Sequence, residues 1–92
     1  MISPITTIIN IKDGEPDIYI GRDSKWGNPF KMSEYLGRSR VLELYKEWLL
    51  ENKVLMNDIH ELEGKVLGCH CKPKKCHGDI LCEIVNRRSF QL

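Results

Sequence analysis

Apolar positions along the chain fall into segments of different period. Ile5 to Ile11 is β-branched and apolar, Lys12-Asp13-Gly14-Glu15-Pro16 carries turn chemistry, and Ile18-Tyr19-Ile20 resumes an extended pattern. Two strands joined by a turn are the expected result. Between Gly21 and Met32 two glycines, a proline and the lack of any apolar period predict a structured loop. From Arg38 to Asn52, Val41, Leu44, Tyr45 and Trp48 recur at three and four residues with Leu42 and Leu49 beside them, the spacing of an amphipathic helix. Val54 to Leu62 keeps that spacing through Leu55, Ile59 and Leu62, and Gly64 is a natural stop.

Lys65 to Cys71 reads as a buried strand with its odd positions on one face, so Cys69 and Cys71 are expected to point the same way. Lys72-Pro73-Lys74-Lys75 breaks it. From His77 or Gly78, Ile80, Leu81, Ile84 and Val85 trace a helical stripe, with Asp79 in the first turn and Arg87-Arg88 in the last, both suited to the helix dipole. The order β-β-α-α-β-α predicts a small single α/β domain over residues 1–92, a three-layer Rossmann-like sandwich with the last strand-loop-helix unit at the middle of the sheet. Ligands of open α/β sheets sit at the carboxyl ends of strands, and the loop 72–77 occupies that place.

Composition narrows the class. The chain is 92 residues long, 41% hydrophobic and 29% charged, an ordinary globular balance with room for one core. No apolar run approaches the ~20 residues that cross a bilayer, and Met1 to Asn10 lacks the pattern of a signal peptide. A cytoplasmic protein without a membrane partner is expected. The net charge of +1 hides an asymmetry: residues 21–40 sum to +3 and residues 65–92 to +4, leaving −6 elsewhere. If the two basic stretches meet, they form a face for an anionic partner. Nucleic acid ranks below a small ligand, because the basic tally is small and the whole chain almost neutral.

Four cysteines do not make a disulfide framework here, since Cys69, Cys71 and Cys76 crowd into eight residues and Cys82 lies on a helical stripe. Three readings of the cluster compete. Cys69, Cys71, Cys76 and His77 are four donors that zinc accepts, although adjacent Cys76 and His77 would both have to turn inward. His70-Cys71-x5-His77 has the outline of a phosphatase cradle without its arginine. Buried cysteines are also common core residues, the favoured account of Cys69 and Cys82. The expectation is no resident metal, with zinc as the alternative.

A helix that starts after a lysine-rich loop offers free N–H groups to an anion, which assigns Lys72, Cys76 and Gly78 to phosphate binding. His77 beside Asp79 suggests an acid and base for a glycosidic or phosphoester bond. His60 and His70 have no such company. In the first loop, Arg22, Ser24, Lys25, Trp26 and Asn28 supply a fork, donors and a stacking face, the inventory for a nucleobase and its phosphates. Trp26 is equally a plug for a long loop.

Together the segments GR-x-SKWGNPF and LGC-x-CKP-x-x-CHGD-x-L resemble the signature of a small family of bacterial and bacteriophage proteins catalogued as a domain of unknown function. The resemblance rests on Gly21, Arg22, Ser24 to Phe30, Leu67 to Cys69, Cys71 to Pro73, Cys76 to Asp79 and Leu81, and spans most of the chain. The second motif is also distantly similar to a Rossmann-like family whose helix starts Cys-His-Arg, with Gly78 in place of that arginine. The resemblance implies a three-layer α/β domain with a pocket between the motifs, and supplies no reaction. The expected function is a pocket for an anionic, nucleotide-derived ligand, with or without hydrolytic or transfer activity. The alternatives are a phage module that blocks a host protein, stapled by zinc, and a nucleotide-sequestering protein.

Overall fold

The computed structural model describes residues 5–34, 36–71 and 74–89, with backbone only at 88 and 89. Strand β1 spans Thr7–Asn10 and β2 Ile18–Tyr19; helix α1 spans Arg38–Glu51 and α2 Lys53–Asp58, continued by a 3-10 turn at Ile59–Leu62. Strand β3 (Val66–Cys69) and helix α3 (His77–Ser89) complete the order. A mixed α/β domain with a parallel three-stranded sheet results, and β3 is its central strand, as the sequence predicts. The two early strands do not pair with each other. Thr7 to Asn10 register with Val66 to Cys69 on one side of β3, and Ile18 and Tyr19 with Leu67 and Gly68 on the other, all parallel. The Lys12–Pro16 stretch is thus a crossover over one face of β3, not a hairpin turn.

Registered neighbours in a sheet share a face, so Ile8, Leu67 and Ile18 point one way. That face meets the core, to which α1, α2, the 3-10 turn and α3 all contribute: Leu42, Tyr45 and Leu49, Leu55, Ile59 and Leu62, and Leu81 and Val85. On the opposite face Pro16 and Ile11 lie directly over Gly68, so the crossover chain covers the sheet there. The helices end where side-chain chemistry stops them. Asn52 closes α1, and its Oδ1 accepts the Leu55 N–H at 3.1 Å, which caps α2. Gly64 follows the 3-10 turn with a φ of 68°, the left-handed conformation a side chain disfavours.

Buried Thr6 fastens the start of β1 to both neighbours. Its Oγ1 donates to the Leu62 carbonyl at 2.8 Å and accepts the Gly64 N–H at 3.0 Å. Its backbone N–H and carbonyl pair with the Asn86 amide of α3 at 2.9 and 3.1 Å. These bonds hold the sheet's entry edge and α3 in one frame, which sets the position of the α3 N-terminus against the end of β3.

Candidate functional site

The loop after β2 is built from consecutive turns. Ser24 donates its hydroxyl and its N–H to the Gly21 carbonyl at 2.7 and 2.9 Å, and the Gly27 N–H returns to the Ser24 carbonyl at 3.0 Å. Gly27 is required by contact, since a Cβ there would stand 2.8 Å from the Arg22 Cα and carbonyl. Asn28 accepts the Phe30 N–H at 2.8 Å, a local turn around Pro29. Ser24 therefore shapes the loop, and Asn28 both shapes it and faces the cavity described below.

Trp26 and Lys25 do not line the cavity described below. Trp26 is 2% exposed and packs in the core, and its carbonyl accepts the Tyr45 hydroxyl at 2.7 Å. Its burial favours the plug over the stacking face, since a large apolar ring gains more inside the core than at a surface. Lys25 lies 2.9 Å from Glu61 and 3.1 Å from Asp58, with its ammonium 5.2 Å above the Trp26 ring. Those carboxylates, Glu61 foremost, raise its pKa and hold the charge on the helical side of the loop.

Of the expected residues, Arg22, Asn28, Cys76 and His77 line one cavity. A cavity of about 470 Å³ is walled by Arg22, Asn28 and Phe30 from the first loop and by Cys71, Cys76 and His77 from the second. Arg38 at the start of α1 completes the rim, with one guanidinium N–H donated to the Lys75 carbonyl at 2.9 Å. Arg22 is exposed, and its side chain has no hydrogen-bond or ion-pair partner among the described residues. Lys72 lies outside the described residues.

The α3 N-terminus is less open to an anion than its sequence suggests. Asp79 Oδ2 accepts the Cys76 N–H at 2.9 Å, while the Asp79 N–H bonds the Cys76 carbonyl at 3.0 Å. The carboxylate bond is the N3 half of a capping box and places a negative charge at the positive end of the helix. Gly78 itself brings α3 onto the sheet, where a Cβ would stand 2.9 Å from Ile20 Cδ1. Asp79 and Gly78 are thereby positioned by folding needs.

His77 is buried, with its ring edge-on to Tyr45 at 5.3 Å between centroids. Its Nε2 lies 2.6 Å from the Ile20 carbonyl. A carbonyl only accepts, so Nε2 carries the hydrogen. Burial lowers the His77 pKa below its ordinary 6.5. A neutral ring pinned to β2's continuation is a structural tie that also faces the cavity.

Cys69 and Cys76 approach to 3.3 Å between sulfurs, and with Cys71 the three Sγ atoms lie within 4.8 Å of one another. Burial, followed by the neighbouring Cys69, pushes the Cys76 thiol up to about 12. None of the four cysteines is in a disulfide. Three close cysteines of this kind could hold a metal, whereas His77 stands outside the group. Sequence reasoning passed over Arg38, Phe30 and His70 as cavity residues. His70 Nε2 pairs with the Tyr19 hydroxyl at 3.1 Å.

Comparison with known proteins identifies a family and relatives. Residues 9–87 match the family described as "Domain of unknown function (DUF4326)". The chain is 32% identical over 90 residues to the "Uncharacterized 12.4 kDa protein in nrdA-td intergenic region" of Enterobacteria phage T4, covering 94% of this chain and 82% of that protein. It is 35% identical over 86 residues to the "Uncharacterized protein R718" of Acanthamoeba polyphaga mimivirus, covering 74% of this chain and 65% of the relative, just under two thirds of its length. No solved structure matches.

Proposed function

Because the chain belongs to the DUF4326 family, whose description names no reaction, we propose from the site itself that it binds a small anionic, nucleotide-derived ligand in the cavity between residues 21–30 and 69–77. One observation carries this reading: two loops distant in sequence wall one cavity of about 470 Å³ with guanidinium groups at its edge, a size within the roughly 300–1,000 Å³ range of small-molecule pockets. Arg22 and Arg38 take the anionic group, as guanidinium forks suit phosphate. Phe30, Met32 and Leu42 offer the apolar wall for a base, and Asp23 an acceptor for sugar hydroxyls. The anion sits on the arginine side of the cavity, since Asp79 holds the α3 N-terminus.

Binding or sequestration fits the geometry better than turnover through His77 and Asp79. Both side chains are spent on folding bonds, to Ile20 and to Cys76. The Rossmann-like, three-layer reading belongs to this proposal in reduced form, with the crossover chain in place of helices over Gly68. Four cysteines outside disulfides suit the reducing cytoplasm.

Titration calorimetry with nucleosides and their mono-, di- and triphosphates tests the reading. Expected are binding of at least one nucleoside phosphate, weaker binding of the bare nucleoside, and a loss of about 1.5–3 kcal/mol in Arg22→Ala, the scale of a charged hydrogen bond. Folded protein that neither binds nor is thermally stabilised by any of them would overturn it.

A further inference from the structure

We propose that Cys69, Cys71 and Cys76 form a three-thiolate site for a zinc-class metal ion whose fourth coordination position opens into the cavity. The spacing suits the ion. A tetrahedral centre with Zn–S bonds of ~2.3 Å sets its sulfurs ~3.8 Å apart, and the observed separations run from 3.3 Å up to at most 4.8 Å. Shifts of about an ångström or less therefore complete the geometry.

The donors flank two regular elements: Cys69 ends β3, Cys71 lies two residues beyond, and Cys76 precedes α3. All three line the cavity. No other His, Cys, Asp or Glu among the described residues joins the group, and His77 is bonded to Ile20 and Asp79 to Cys76 instead. The fourth donor then comes from the cavity, as water or a ligand atom. Three protein donors and an open position distinguish reactive zinc centres from closed structural ones. Thiolates select zinc-class ions over magnesium or calcium.

Binding exchanges three S–H bonds for three metal–sulfur bonds and releases the protons to solvent, with no change of oxidation state. The three thiolates and a divalent ion leave one negative charge, and Arg22 and Arg38 line the same cavity. None of this depends on the nucleotide reading, and a failed nucleotide titration leaves it untouched.

The test is elemental analysis of protein purified under reductant, followed by cobalt(II) substitution of wild type, Cys71→Ser and Cys82→Ser. About one zinc per chain is expected, with a sulfur-to-cobalt charge-transfer band in wild type and Cys82→Ser. In Cys71→Ser, metal affinity should fall on the order of 100-fold or more, because a direct ligand is lost. Circular dichroism reports whether that variant folds; if it does not, the wild-type cobalt spectrum alone decides. Reduced wild type that takes up neither metal, a cobalt spectrum without the sulfur band, or a folded Cys71→Ser with undiminished affinity overturns the proposal.

Discussion

The Tyr45 hydroxyl donates to the Trp26 carbonyl at 2.7 Å inside the core, so one hydrogen bond from α1 holds the loop that carries Arg22. Tyr45→Phe leaves that buried carbonyl without its partner and should cost about 1–3 kcal/mol in urea unfolding, the penalty of an unsatisfied buried group. Ligand affinity should fall as well, because the loop loses its anchor. Unchanged stability would show that water takes the hydroxyl's place.

Arg22→Ala and Lys25→Ala should separate cleanly. Both remove one positive charge from the same turn, yet only Arg22 faces the cavity, while Lys25 is paired with Glu61 and Asp58. Nucleotide binding by calorimetry should weaken in the first and hold in the second. Equal losses in both would mean that net charge, not the placement of the fork, governs binding.

Asp79→Ala should lower stability by about 0.5–2 kcal/mol, the range for a lost helix cap, read from chemical denaturation. The cause is the lost acceptor for the Cys76 N–H and the lost negative charge at the α3 N-terminus. Asp79→Asn keeps an acceptor and should recover part of the loss. A variant of full stability but altered ligand handling would return Asp79 to the site.

With chelator present, His77 should make stability depend on pH. Burial holds its folded pKa below 6.5, so on acidification the unfolded chain takes up this proton first. Stability from this group is complete above 6.5 and declines as pH falls through that value towards the lower folded one, where the decline ends. The melting temperature of wild type should drop across that window more steeply than that of His77→Gln. Parallel slopes would assign the effect to other groups.

The helices were legible because their apolar spacing is long and regular. Both α1 and α3 start at Arg38 and His77, where the sequence places them. The strands were less so: Ile5–Ile11 shortens to Thr7–Asn10 and Lys65–Cys71 to Val66–Cys69, since pairing length depends on a partner that local pattern does not name. Convergence of the two loops was readable from their charge and motif chemistry. The duties of Trp26, Lys25 and Asp79 were not, because burial, a carboxylate pair from a remote segment and a cap on a cysteine are decided by packing. His70 was set aside as lacking company, because its partner Tyr19 comes from a segment 51 residues earlier and is brought beside it only by the sheet.

The central place of β3 also dictates an order of assembly. Both β1 and β2 bond only to β3, and Thr7 meets its partner Val66 roughly sixty residues later, a long loop to close before any pairing repays it. While the chain leaves the ribosome, its first third must wait with bare strand edges until residues 66–69 emerge. The local helices α1 and α2 can form in that interval, and the sheet then closes around its last strand in a single late event.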